Sequence, residues 1–219
     1  MKILAFDFSS PQRSVAVLNA DERGGTISTG EVVDTSPGNT MLPLGMVERA
    51  LKQAGLERRQ IECIAVGIGP GSYTSIRVAI SLAQGWQIAT NVKLCGVSSV
   101  ECIATQAAEG IHGPFSVVVD AQRGEIYLAG YDCPDDKPHA ISPLRIASAD
   151  EVRSRNQAGD ILIGPEVTRW FPGGQVVYPR AEMVGKLALA RSQFISGEAL
   201  EPIYLRETQF VKAPPPRGV

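Results

Sequence analysis

Histidine and paired cysteines are scarce in this chain. Its 219 residues hold two histidines, His112 and His139, and four cysteines, Cys63, Cys95, Cys102 and Cys133, with no C-x-x-C pair. A Cys/His zinc site therefore lacks its spacing signature. No H-E-x-x-H or H-x-x-x-H puts two histidines on one helical face. His112 sits in Gly110-Ile111-His112-Gly113-Pro114 and His139 follows Asp135-Asp136-Lys137-Pro138, loop settings that offer little to a Ser-His-Asp hydrolase. A basic excess is missing as well. The 21 Lys and Arg face 23 Asp and Glu, for a formal net charge of −2. Gripping nucleic acid alone would need a local patch or a basic partner. No apolar run reaches ten residues, against the roughly 18–20 that cross a bilayer. Met1-Lys2-Ile3-Leu4-Ala5-Phe6-Asp7 meets a carboxylate too early for a secretory leader. The expectation is a cytoplasmic protein with reduced thiols and no membrane contact.

What is present is ordinary globular material. Hydrophobic residues make up 44% and charged residues 20%, enough apolar side chain for one or two small domains. Residues 3–8 and 14–18, separated by Ser9-Ser10-Pro11-Gln12-Arg13, read as strand, turn, strand. A third strand covers 26–34. Ser36-Pro37-Gly38-Asn39 opens a helix to about Ala54, with Gly55 as its C-cap. A buried strand over 61–68 runs into Gly69-Pro70-Gly71-Ser72, followed by a helix over 73–89. A strand over 92–97 leads to Ser98-Ser99, which caps a helix through about Ala108.

The second half repeats this order. A strand over 116–119, the turn Asp120-Ala121-Gln122-Arg123-Gly124-Glu125 and a strand over 126–131 place Asp120 where the first half has Asp7. Ile161-Leu162-Ile163-Gly164-Pro165 echoes Ala65-Val66-Gly67-Ile68-Gly69-Pro70. Two echoes in one order favour an internally duplicated α/β unit, with mixed sheets covered by helices. The boundary falls near 110–114, giving units 1–110 and 111–212 and an unpacked tail over 213–219.

Three features could carry chemistry. Gly69, Gly71 and Ser72 lie in a glycine loop between a strand and a helix, where backbone N–H groups and the helix dipole suit an anion. The competing reading is a tight turn with Ser72 or Thr74 capping the helix. The loop is neither a P-loop nor G-x-G-x-x-G. Asp7 and Asp120, at strand ends, fit a Mg²⁺–phosphate site if they face one gap; otherwise each ends a strand and bonds its own turn. Arg123 is a phosphate contact on the first view and a turn residue on the second. The third feature is a surplus of apolar helix face. The first helix has a core stripe of Leu44, Val47, Leu51 and Ala54, and a second pair, Leu42 and Met46, beside Gly45 and Arg49. The second helix spreads Ile76, Val78, Ala79, Ile80, Leu82, Ala83 and Trp86 over a wide arc. Together these make a candidate docking surface.

The same residues resemble a family. Ile3-Leu4-Ala5-Phe6-Asp7 with Ser14-Val15-Ala16-Val17 is similar to the opening of the TsaB (YeaZ) proteins. Gly69-Pro70-Gly71-Ser72-Tyr73-Thr74-Ser75-Ile76-Arg77 resembles their G-P-G-S-F-T-G-x-R, and Asp120-Ala121-Gln122-Arg123-Gly124-Glu125-Ile126-Tyr127 their D-A-R-x-G-E-V-Y. Pro202-Ile203-Tyr204-Leu205-Arg206 resembles their P-x-Y-L-R. Phe8 stands where Thr is frequent, Ser75 where Gly is frequent, and Ser36-Pro37-Gly38-Asn39-Thr40 where many members carry a His ahead of the first helix. The resemblance implies a tandem actin-like (ASKHA, RNase H-like) α/β fold. It also implies a part in making N6-threonylcarbamoyladenosine on tRNA, as a non-catalytic partner that docks through its N-terminal helices. The catalytic TsaD-type subunit would carry the metal, and its iron-binding histidine pair has no counterpart here. A TsaE-type ATPase joins bacterial complexes, and self-association through the same face is implied for the free protein. The resemblance further implies no intrinsic cofactor, ATP or ADP shared within the complex, and only indirect contact with tRNA. Two rival classes remain: an actin-like ATPase or small-molecule kinase using Asp7, Asp120 and the glycine loop, and a metallopeptidase.

Overall fold

The computed structural model describes residues 1–20, 26–35, 42–191 and 193–206. One order of elements occurs twice. The first half runs β1 (Lys2–Asp7), β2 (Arg13–Ala20), β3 (Thr26–Asp34), α1 (Pro43–Ala54), β4 (Cys63–Gly67), α2 (Tyr73–Thr90), β5 (Lys93–Val97) and α3 (Ser99–Ala107). The second runs β6 (Gly113–Asp120), β7 (Glu125–Cys133), β8 (His139–Ser148), α4 (Ala149–Gln157), β9 (Ile161–Gly164), α5 (Val167–Trp170), β10 (Gln175–Val176) and α6 (Ala181–Arg191). The sheets are ordered β3-β2-β1-β4-β5 and β10-β9-β6-β7-β8, which is one topology used twice. The first three strands of each are antiparallel and the last two join in parallel. The expected helix opening at Ser36-Pro37-Gly38-Asn39 and the tail over 213–219 lie outside the described residues.

Strand alternation assigns the layers. Leu4 and Phe6 of β1 pack with Met46 and Val47 of α1 and Ile76 and Ala79 of α2. Ile3 and Ala5, pointing the other way, pack with Ala181, Val184 and Ala188 of α6. In the second sheet Val117 and Val119 of β6 meet Ile103, Ala104 and Ala107 of α3. Val118 meets Val152 of α4 and Val167 of α5. The molecule is therefore layered as α1/α2, first sheet, α3/α6, second sheet, α4/α5.

The expected division at 110/111 falls between α3 and β6. The last helix of each half lies against the other half's sheet, because α1 and α2 cover only one apolar face of the first sheet and α4 and α5 only one of the second. Residues beyond α6 stay with the first sheet: Ile195 N donates to Leu94 O at 2.9 Å, and Leu200 enters the first core.

Helix α1 also differs in phase from the expected stripe. Its buried residues are Met46, Val47, Ala50 and Leu51, and Leu44 is 51% exposed. At 100° per residue the buried four form one arc, with Leu42 and Leu44 on its two flanks. Met46 is thus a core residue, whereas the sequence pattern set it on a docking face. Gly55 caps the helix as expected, in the left-handed region at φ 64°, where a side chain would be strained.

Candidate functional site

Asp7 ends β1 on the face turned toward α3 and is fully buried. Its Oδ1 accepts from the Ser9 backbone N–H at 2.9 Å and the Ser9 hydroxyl at 2.7 Å; its Oδ2 accepts from the Ser99 hydroxyl at 2.7 Å. Ser99 in turn accepts from Gly69 N at 3.2 Å and donates its own N–H to Gly69 O at 2.9 Å. Burial pushes the Asp7 carboxyl up to about 6, against the hydrogen bonds from Ser9 and Ser99, which lower it. The loop after β4 folds onto this acid. A Cβ on Gly67 would sit 2.0 Å from Asp7 Oδ2, and one on Gly71 2.1 Å from Ser9 O, so both positions need glycine's missing side chain.

The same closeness occupies the loop's donors. Ile68 N bonds Val97 O, Gly69 N bonds Ser99, and Ser72 N donates to Ser9 O at 2.7 Å. Ser72 is the N-cap of α2 but makes no side-chain cap bond. Its hydroxyl turns to Ser75 Oγ at 3.0 Å, which also accepts from Arg13 Nη2 at 3.1 Å. Asp7, Gly69, Gly71 and Ser72 therefore form an internal joint between β1, the glycine loop and α3.

Asp120 is placed differently. The apolar residues of β6 that face inward are Val117 and Val119, so Asp120 falls one residue out of phase with Asp7 and lies over the outer layer. Its Oδ1 accepts from Gln122 N at 2.7 Å, and Arg169 Nη1 of α5 lies 3.6 Å from Oδ2. With Glu166, Val167, Trp170 and Phe171 it lines a cavity of about 10 Å³, no more than one water's room. Arg123 is exposed, with a positive φ of 59°. The two acids do not share a gap, which removes the geometry that a bridging Mg²⁺ requires. Among the described residues no group of three or more His, Cys, Asp or Glu is placed to hold a metal ion. Burial also raises Cys63 to about 12 and Cys102 well above its ordinary value, which keeps these thiols protonated and unreactive at neutral pH.

The docking residues divide by burial. Met46, Ile76, Ala79, Ile80 and Ala83 are buried in the chain's own core, because α2 turns Ser75, Ile76, Ala79, Ile80 and Ala83 onto the sheet. Leu42 is 74% and Val78 39% exposed. Gly45 and Leu82 are half-buried and Arg49 is exposed. The apolar face that remains open on α1 and α2 is smaller than the sequence pattern suggested.

Comparison with known proteins fixes the family. A family model described as TsaD, tRNA N6-adenosine threonylcarbamoyltransferase, matches residues 42–152. The tRNA threonylcarbamoyladenosine biosynthesis protein TsaB of Haemophilus influenzae is 32% identical over 98% of this chain and 98% of its own. TsaB of Escherichia coli is 29% identical over 94% of this chain and 95% of its own. This chain belongs to the TsaB family. Two solved Pseudomonas aeruginosa structures, YeaZ and a protein described as similar to peptidase YeaZ, share its fold. They superpose with TM-scores of 0.75 and 0.76, cover 93% and 94% of this chain and 99% of theirs, and are 24% identical.

Of the departures from the TsaB family pattern, Ser36-Pro37-Gly38-Asn39-Thr40 lies outside the described residues, and Phe8 and Ser75 have local causes. Phe8 is fully buried and stacks on Phe6 with ring centres 6.0 Å apart. The Arg13 guanidinium lies 5.8 Å from its ring centre. Ser75 supplies the hydroxyl that joins Arg13 to Ser72. Two groups escaped sequence reasoning. Ser99 looked like a helix cap but is a ligand of Asp7. The P-x-Y-L-R motif had no role from its letters, yet it bridges the two halves. Ile203 N donates to Ile68 O at 2.9 Å. Tyr204 stacks on Tyr73 with ring centres 5.0 Å apart. Arg206 Nη2 donates to Ala121 O at 2.9 Å and Gln122 O at 3.1 Å and pairs with Glu125. A heptad or alternation search does not see contacts of this kind, since they are set by which turns the topology places side by side.

Proposed function

We propose that this chain is a cytoplasmic, non-catalytic subunit required for N6-threonylcarbamoyladenosine formation on tRNA, and that it docks on a TsaD-type catalytic subunit. The supporting observation is likeness along the whole of both chains to threonylcarbamoyladenosine biosynthesis proteins. Asp7 supports the non-catalytic part: it is fully buried, and both its oxygens are engaged by Ser9 and Ser99 inside the chain. The docking surface is the open part of α1 and α2, namely Leu42, Gly45, Arg49, Val78 and Leu82. A TsaE-type ATPase reaches the assembly through it, any ATP or ADP is held jointly with a partner, and the free chain pairs with itself by the same face. Contact with tRNA is through the catalytic subunit.

Deletion of the gene, followed by mass spectrometry of tRNA nucleosides, tests the pathway role. The modified adenosine should disappear, and return with the wild-type gene. Leu42→Glu combined with Val78→Glu tests the surface. The variant should stay folded, fail to co-purify with a TsaD-type protein and fail to restore the nucleoside; retained co-purification would move docking elsewhere. Calorimetry of the isolated chain with ATP and Mg²⁺ separates this reading from an actin-like ATPase, for which micromolar binding with turnover is the expected result.

A further inference from the structure

We propose that residues 202–206 work as a strap that locks the start of α2 to the β6–β7 turn and so fixes the angle between the two sheets. The anchor on the first side is aromatic. Tyr204 lies on Tyr73, the first residue of α2, with the planes 25° apart. The Arg77 guanidinium sits 4.8 Å from the Tyr73 ring centre on the same helix. Offset ring stacking and a cation over a ring face both add to what burial supplies. The lock on the second side is polar. Arg206 reaches two carbonyls and one carboxylate of the turn Ala121-Gln122-Arg123-Gly124-Glu125.

The turn so held is an irregular one. Gln122, Arg123 and Gly124 all have positive φ, at 63°, 59° and 78°. Non-glycine residues reach that region only when the surroundings hold them there. The two N–H bonds of Arg206 Nη2 are shared among Ala121 O, Gln122 O and the Glu125 carboxylate, and Gln122 O also accepts from Glu125 N at 3.2 Å within the turn. Five consecutive residues thus contact Ile68 and α2 at one end and the β6–β7 turn at the other. These are the two regions that would approach or separate if the halves swung. Release of either end should therefore loosen both.

Hydrogen exchange on the full chain tests this coupling. Arg206→Gln removes the hydrogen bonds to the β6–β7 turn, and Tyr204→Ala removes the stacking on Tyr73. With a strap, Arg206→Gln speeds exchange about tenfold at Tyr73 to Arg77 as well as in 121–125, and Tyr204→Ala does the same at 121–125. Acceleration confined to the end that was cut, or none at all, overturns the proposal. If Tyr204→Ala fails to fold, Arg206→Gln decides alone, since the Arg206 side chain is partly exposed and outside every core cluster.

Discussion

A fully buried carboxylate with three donors against it is held between opposing effects. Burial favours the protonated acid and the donors from Ser9 and Ser99 favour the anion; for Asp7 burial wins, at about 6 against an ordinary 3.8. Between those values the folded chain keeps a proton that the unfolded chain has released. Stability is therefore fully present below pH 4, falls as pH rises through 6, and levels off above it. The loss at neutral pH is on the order of 3 kcal/mol. Asp7→Asn keeps the acceptor for Ser9 and offers Ser99 Oγ a donor that it can accept. Urea melts at pH 4.5, 6 and 7.5 should show the slope removed in the variant and its stability at pH 7.5 equal to or above wild type. A slope unchanged in Asp7→Asn would place the titration elsewhere. Asp7→Ala, in contrast, leaves buried donors bare, at about 1–3 kcal/mol for each.

Glycines around this acid give a second test at the same scale. Gly67→Ala and Gly71→Ala each drive a methyl to about 2 Å from a fixed oxygen, and such overpacking costs about 1–3 kcal/mol or more. Gly85 lies inside α2, exposed, with nothing within 4 Å of its absent Cβ. Gly85→Ala should gain up to about 1 kcal/mol through helix propensity alone. Thermal melts of the three variants should separate in that order, the first two downward and the third upward.

At the scale of the element, α1 shows why a helix can be read correctly and its face misread. The sequence has apolar residues at 42, 44, 46, 47, 50, 51 and 54, so two stripes compete, and local periodicity does not say which one β3 and β2 will cover. The sheet chooses Met46, Val47, Ala50 and Leu51. Met46→Glu should then destabilise by several kcal/mol, since it buries a charge with no partner. Leu42→Glu should stay within about 0.5 kcal/mol of wild type. Equal melting temperatures for the two would return Met46 to the surface. Strands were more legible than helix faces because alternation with turn residues leaves little choice: β3 occupies the residues expected of it, 26–34. The glycine loop was legible as a loop. Its occupant was not, because the acceptors that fill it, Ser9 O and Ser99 Oγ, come from distant parts of the chain. Asp120 looked equivalent to Asp7 for a related reason. Each closes a strand, but the face it takes depends on which helices cover that side: Ile3 and Ala5 share the face of Asp7 beneath α6, whereas Val118 shares the face of Asp120 beneath α4 and α5.

At the scale of the whole molecule, the decisive property is the exchange of last helices. Helix α3 leaves the first half to cover β6 and β9, and α6 leaves the second to cover β1, β2 and β4. The exchange is tied by specific bonds. Ala181 N donates to Ser14 Oγ at 2.8 Å. Arg180 Nε donates to Glu31 at 3.1 Å, and Gln106 Nε2 donates to Tyr178 O at 3.0 Å. Two halves joined by a hinge would melt separately, whereas two halves that complete each other's cores should melt together. The chain carries its own reporters: Trp86 lies on α2 against the first core and Trp170 on α5 against the second. In Trp170→Phe the fluorescence follows the first half, and in Trp86→Phe the second. Each variant's fluorescence transition in urea should coincide with its own far-UV circular dichroism transition, as one step. A fluorescence step at a different urea concentration from the dichroism step, in either variant, would show that the halves hold their cores independently. In that case Ala181, Val184 and Ala188 cover the first sheet without being needed to close it.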